Sequence, residues 1–165
     1  MSWDLSLSGL TVLVVDDHAD SRDLAATILR LAGASVSTAA SGREALEQMS
    51  LGCDVVVTDI SMPDGTGYDL IEEARRNGSQ VPMIALTALD SGDHRGQILS
   101  SGFARHLTKP LLPEFLIAAV SEVAPPRLPV QVTIPVPVPV PVEEVSRWNA
   151  APVTRPFAVR GDSTG

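Results

Sequence analysis

Leu10-Thr11-Val12-Leu13-Val14-Val15-Asp16-Asp17 sets the reading of the rest of the chain. Apolar and β-branched side chains run without polar alternation until two carboxylates stop them. A run this short and this uniformly apolar predicts a strand buried on both faces, as in a parallel sheet covered by helices. Four further short runs at 35–38, 54–58, 83–87 and 104–108 read the same way. Between them the spacing turns helical. Residues 21–32 place Leu24, Ile28 and Leu31 on one stripe before Gly33, and 42–50 open on Ser41 with Glu44 three residues later, a capping-box pattern. Helices also read at 67–77, at about 91–101, and at 111–123, where Leu112, Phe115, Leu116, Ala119, Val120 and Val123 recur. Alternating strands and helices predict an α/β fold, a five-stranded parallel sheet with helices on both faces.

Such a sheet gathers its functional groups at the carboxyl ends of its strands. The first run ends in Asp16-Asp17, the third in Asp59, the fourth in Thr87 and the fifth in Lys109-Pro110, whereas the second ends in Ala39-Ala40. In the order 2-1-3-4-5, the four strands with reactive ends are successive neighbours and the inert one lies outside them. Three carboxylates at one edge repel one another, and a divalent cation relieves the repulsion. All-oxygen ligands with room for water suit Mg²⁺. An aspartate there is a candidate nucleophile, Lys109 a counter-charge for a phosphoryl group, and Thr87 a hydroxyl donor to it.

Composition agrees with one folded domain and an appendage. The 165 residues carry 20 acidic and 12 basic side chains, net -8. That balance argues against direct nucleic-acid binding, which needs a basic face. Of the basic residues 11 are arginine, and Lys109 is the single lysine. One cysteine, Cys53, excludes a disulfide framework and reads as a small buried side chain. Residues 1–8 lack the pattern of a signal peptide, and no apolar run reaches the ~18 residues of a membrane span. The expectation is a soluble, cytoplasmic chain without membrane insertion.

Composition changes at Pro125, since nine of the 13 prolines lie in 125–165. The domain is therefore expected over 1–124, with its core at about 10–123. In 125–165, Pro135-Val136-Pro137-Val138-Pro139-Val140-Pro141-Val142 lacks the amide donors a paired strand needs, so a disordered or polyproline II tail is expected. Such a tail reads as an inert extension or as a spacer or docking ligand.

Four segments together resemble the receiver domain of two-component response regulators. They are Val14-Val15-Asp16-Asp17, then Asp59-Ile60-Ser61-Met62-Pro63-Asp64-Gly65-Thr66-Gly67, then Leu86-Thr87-Ala88, then Lys109-Pro110. The resemblance spans about residues 10–123 and implies the flavodoxin-like fold. It implies that Asp59 accepts a phosphoryl group from a histidine kinase or histidine phosphotransfer protein. It implies that Asp17, Asp59 and the main-chain carbonyl of Ser61 bind Mg²⁺, with Asp16 acting through water. Thr87 becomes the switch hydroxyl, Lys109 the phosphoryl-binding cation, and Lys109-Pro110 a cis peptide. Where the family usually carries Tyr or Phe three residues before the lysine, this chain has His106.

The function expected is that of a stand-alone phosphoacceptor, self-catalysed rather than an enzyme, signalling to a downstream protein partner. The alternatives are a receiver segment of a hybrid sensor kinase, a non-phosphorylated interaction module, and an aspartyl-phosphate hydrolase. The last places Asp-x-Asp after its first strand, unlike Asp16-Asp17. His18 and His94 are expected to face solvent, with no second histidine at ligand spacing. Met62-Pro63 reads as loop packing, and Arg160-Gly161-Asp162 as chance.

Overall fold

A computed structural model describes residues 6–88 and 94–126. Strands β1 (Thr11–Val15), β2 (Ser35–Ala39), β3 (Val55–Asp59), β4 (Met83–Thr87) and β5 (Arg105–Thr108) alternate with helices α1 (Ala19–Leu31), α2 (Gly42–Ser50), α3 (Gly67–Arg76), α4 (His94–Ser100) and α5 (Pro113–Val123). All strand pairs are parallel, and the order is β2-β1-β3-β4-β5. The fold is the expected one. The compact unit ends at Pro126. The tail expectations fall outside the described residues.

Alternate residues of each strand point to opposite faces, so a strand buried on both must be apolar throughout. Val12 and Val14 of β1 join α1 and α5 through Leu29, Leu116 and Val120. Leu13 and Val15 join α2, α3 and α4 through Ala45, Ile71 and Ile98. All residues of β3 and β4 are buried, whereas those of edge strand β5 are not.

In α1 the packed face is shifted from the one the spacing predicts, and in α5 it is narrower. In α1 the buried residues are Ala25, Ala26, Ile28 and Leu29, while Leu24 is exposed and Leu31 is 85% exposed. Apolar residues there satisfy two overlapping helical stripes, and the stripe that packs is centred on the alanines, which let the helix approach the sheet closely. In α5, Leu116, Ala119 and Val120 are buried, but Phe115 and the N-cap residue Leu112 lie exposed.

Capping also differs in detail. Ser41 Oγ accepts from the Glu44 amide as expected, but the Glu44 carboxylate accepts from the Ala40 amide rather than from Ser41. A reciprocal capping box stands instead at α3, where Thr66 Oγ1 accepts from the Asp69 amide and Asp69 Oδ2 from the Thr66 amide. Two bonds to its Oδ2, donated by the Thr66 amide and by Thr66 Oγ1, hold the Asp69 carboxyl below its usual range. The chain leaves α1 at Gly33, whose φ of 101° favours glycine.

Candidate functional site

Register brings the reactive strand ends together. Val15 pairs with Thr58 and Asp59 pairs with Leu86, so Asp16 lies beside Asp59, and Thr87 follows one residue on. Asp16 and Asp59 are both buried, Asp16 to 1% exposure. Buried carboxylates require partners. Asp59 Oδ1 accepts from the Ser61 amide at 2.9 Å, and Asp16 Oδ1 accepts from the His18 amide at 2.9 Å. The remaining oxygens share one cation: Lys109 Nζ donates to Asp16 Oδ2 and to Asp59 Oδ2, each at 3.0 Å. Burial alone would lower the Lys109 ammonium pKa, but the hydrogen bonds and charges of Asp59 and Asp16 outweigh burial and raise it.

Backbone contacts fix this arrangement. The Lys109 amide donates to Thr87 O at 2.7 Å, and the Lys109–Pro110 bond is cis. The Gly67 amide donates to Ile60 O at 2.9 Å, drawing the start of α3 against the loop that follows Asp59. A Cβ at Gly67 would stand 2.7 Å from Asp59 O and 3.0 Å from Ile60 Cα, so only glycine fits without movement. Met62, read from sequence as loop packing, is buried against the α2–α3–α4 side of the core.

Asp17 is the least satisfied member of the group. Its Oδ1 is buried and has no hydrogen-bond partner, while Asp16, Asp17, His18 and Asp59 each offer a ligand atom within 4.8 Å of the others. An orphaned carboxylate oxygen in a set of three carboxylates is suited to a hard divalent cation. Mg²⁺ fits this donor set.

Thr87 and His106 face the other way. Thr87 Oγ1 donates to Leu107 O over 3.4 Å, and His106 Nε2 accepts from Arg95 Nε at 3.3 Å. An open groove of about 730 Å³ runs between α4, β5 and α5, with Leu99, His106, Leu111, Leu112 and Phe115 in its lining. Cys53 stays apart from this chemistry. Burial first, and then the charge of Asp54, push its thiol pKa up to about 11, so it is a poor nucleophile at neutral pH.

Three contacts escaped sequence reasoning. His18 is 71% exposed, as expected, yet its Nδ1 lies 3.2 Å from Asp17 Oδ1. Arg22 Nη1 donates to Asp16 O. Arg95 reaches His106 from another element. Adjacency in the chain pointed to the first, and α1 following directly after Asp17 to the second. Nothing in the sequence signalled the third.

Residues 12–121 match the family described as the response regulator receiver domain. An uncharacterised 14.6 kDa protein from the sodA1 3′ region of Leptolyngbya boryana is 38% identical over 120 residues, covering 71% of this chain and 92% of that protein. Response regulator SaeR of Staphylococcus aureus is 33% identical over 112 residues, 68% of this chain, and this chain spans about half (49%) of SaeR. Chemotaxis protein CheY4 of Vibrio cholerae has a TM-score of 0.65 at 32% identity, covering 69% of this chain and 98% of CheY4. The receiver domain of Francisella response regulator 1452 has a TM-score of 0.66 at 33% identity, covering 70% of this chain and 96% of that domain.

Proposed function

The chain belongs to the response regulator receiver family, and on that premise we propose that it is a phosphoacceptor, taking one phosphoryl group on Asp59 from a histidine kinase or histidine phosphotransfer protein. An Asp59 carboxylate oxygen attacks phosphorus while the P–N bond of the donor phosphohistidine breaks. The electron pair returns to the imidazole nitrogen, and a mixed anhydride forms on Asp59. Water later attacks the same phosphorus, returning the carboxylate and inorganic phosphate. The protein is thus the acceptor in its own transfer reaction rather than an enzyme acting on a separate substrate.

Asp17, Asp59 and the main-chain carbonyl of Ser61 would hold Mg²⁺, with Asp16 acting through water. The bound ion supplies neutralisation of phosphoryl charge. Lys109 contributes the protein's own positive charge, exchanging part of its bond to the carboxylates for a phosphoryl oxygen. Thr87 turns its hydroxyl from Leu107 O towards another phosphoryl oxygen. With His106 this loosens β5 from its resting contacts and biases the α4–β5–α5 groove, changing affinity for a downstream protein. We place this exchange in the cytoplasm; among the described residues no helix is long and apolar enough to cross a membrane.

The observation that carries the reading is Lys109 Nζ at 3.0 Å from both Asp16 and Asp59, beside the orphaned Asp17 oxygen. Acetyl phosphate with Mg²⁺ should add one phosphoryl group to the wild type, by intact mass, and none to Asp59→Ala. Equal labelling of the two would overturn it.

A further inference from the structure

The His18 imidazole stands where another ligand of the acid cluster would stand. Its Nδ1 is 3.2 Å from Asp17 Oδ1 and 3.6 Å from Asp16 Oδ1. Two ligands at neighbouring corners of an octahedron, each about 2.1 Å from the cation, are about 3.0 Å apart, and at opposite corners about 4.2 Å. The four candidate donor atoms, all within 4.8 Å of one another, need only a small inward movement to share one ion. The contact between His18 and Asp17 is not a hydrogen bond, because Asp17 Oδ1 accepts none.

Resting on the reading of this cluster as the receiver's cation centre, we propose that His18 Nδ1 is a nitrogen ligand of the ion that Asp17, Asp59 and the Ser61 carbonyl hold beside Asp16. Mg²⁺ prefers oxygen donors, whereas imidazole suits borderline ions, and affinity for them rises along the first-row series. A mixed nitrogen and oxygen donor set therefore gives this centre a preference for late first-row divalent ions, Zn²⁺ among them, that oxygen donors alone would not give.

The test is calorimetric titration of the full chain with Mg²⁺ alone and with Zn²⁺ alone, for wild type, His18→Gln and Asp17→Asn. Loss of a direct ligand should cost at least the ~tenfold that loss of an outer-shell partner costs. His18→Gln should therefore weaken Zn²⁺ about tenfold or more and Mg²⁺ less than twofold. Asp17→Asn should weaken both, and Zn²⁺ should shift the His18 imidazole nitrogen resonance in the wild type only. An unchanged Zn²⁺ affinity in His18→Gln would overturn the proposal. So would tighter Mg²⁺ binding, which would make His18 a competing imidazolium, or Zn²⁺ binding indifferent to Asp17→Asn, an adventitious ion only. Failure of the wild type to label with acetyl phosphate and Mg²⁺ would break the receiver reading instead, and the Zn²⁺ comparison would still decide the role of His18.

Discussion

On the β1–β3 side of the sheet's carboxyl edge, Asp16 and Asp59 are buried, and each accepts bonds of 2.9–3.0 Å from a backbone amide and from Lys109. Across β4, on the β5 side, Thr87 reaches Leu107 O over 3.4 Å, and Arg95 and His106 meet in the open at 3.3 Å. Charge in a buried site must be fully paired, and pairing fixes geometry. The exposed Arg95–His106 contact exchanges with water at little cost, and the longer Thr87 bond constrains its hydroxyl less, so the same fold can move there without losing its core. Under the proposed function this division would separate the place where a phosphoryl group is accepted from the place where its arrival is felt.

Large-to-small substitutions offer the strongest way to break that contrast. Leu13→Ala, at 0% exposure on β1, should cost about 2–5 kcal/mol in denaturant unfolding, because it empties space between the sheet and α2–α3. A cost under about 1 kcal/mol would mean that this half is not tightly packed. Next is Lys109→Met, which removes the cation shared by two buried carboxylates; transfer from acetyl phosphate should slow about 100-fold or more, read as the labelling rate. Unchanged labelling would separate the ammonium from the chemistry.

Gly67→Ala sharpens the comparison at the joint between β3 and α3. Its Cβ would meet Asp59 O at 2.7 Å, so overpacking should cost about 1–3 kcal/mol, and labelling should fall as Asp59 shifts. The smallest effect belongs to the open half. Leu99→Ala, at 51% exposure, should cost about 1 kcal/mol or less and leave labelling untouched. An effect as large as that of Leu13→Ala would show the two halves to be equally fixed.

Strand ends were legible because a parallel sheet leaves few alternatives: runs such as Val55–Asp59 and Met83–Thr87 are apolar on both faces, and their last residues converge through topology alone. Helix faces were less legible. Leu29 is 0% exposed and Leu31 is 85%, two positions apart on a helix whose apolar residues surround most of its axis, so spacing did not choose between stripes. Side-chain partners were the least legible. Glu44 reached Ala40 rather than Ser41, Asp69 completed a cap that Thr66 opened, and Arg95 met His106 across two elements. Such bonds depend on rotamers and on distant chain segments, which residue type and periodicity do not encode.

The solitary lysine has a practical consequence. In a chain with no other ε-amino group, amine-directed acylation reports on Lys109 and the N-terminal amine alone. The neighbouring carboxylates raise the ammonium's pKa and slow its acylation. Whatever enters or leaves that pocket alters the nucleophilicity of this one nitrogen. The unmodified protein therefore carries its own single-site reporter of occupancy, readable by peptide mass without an attached label.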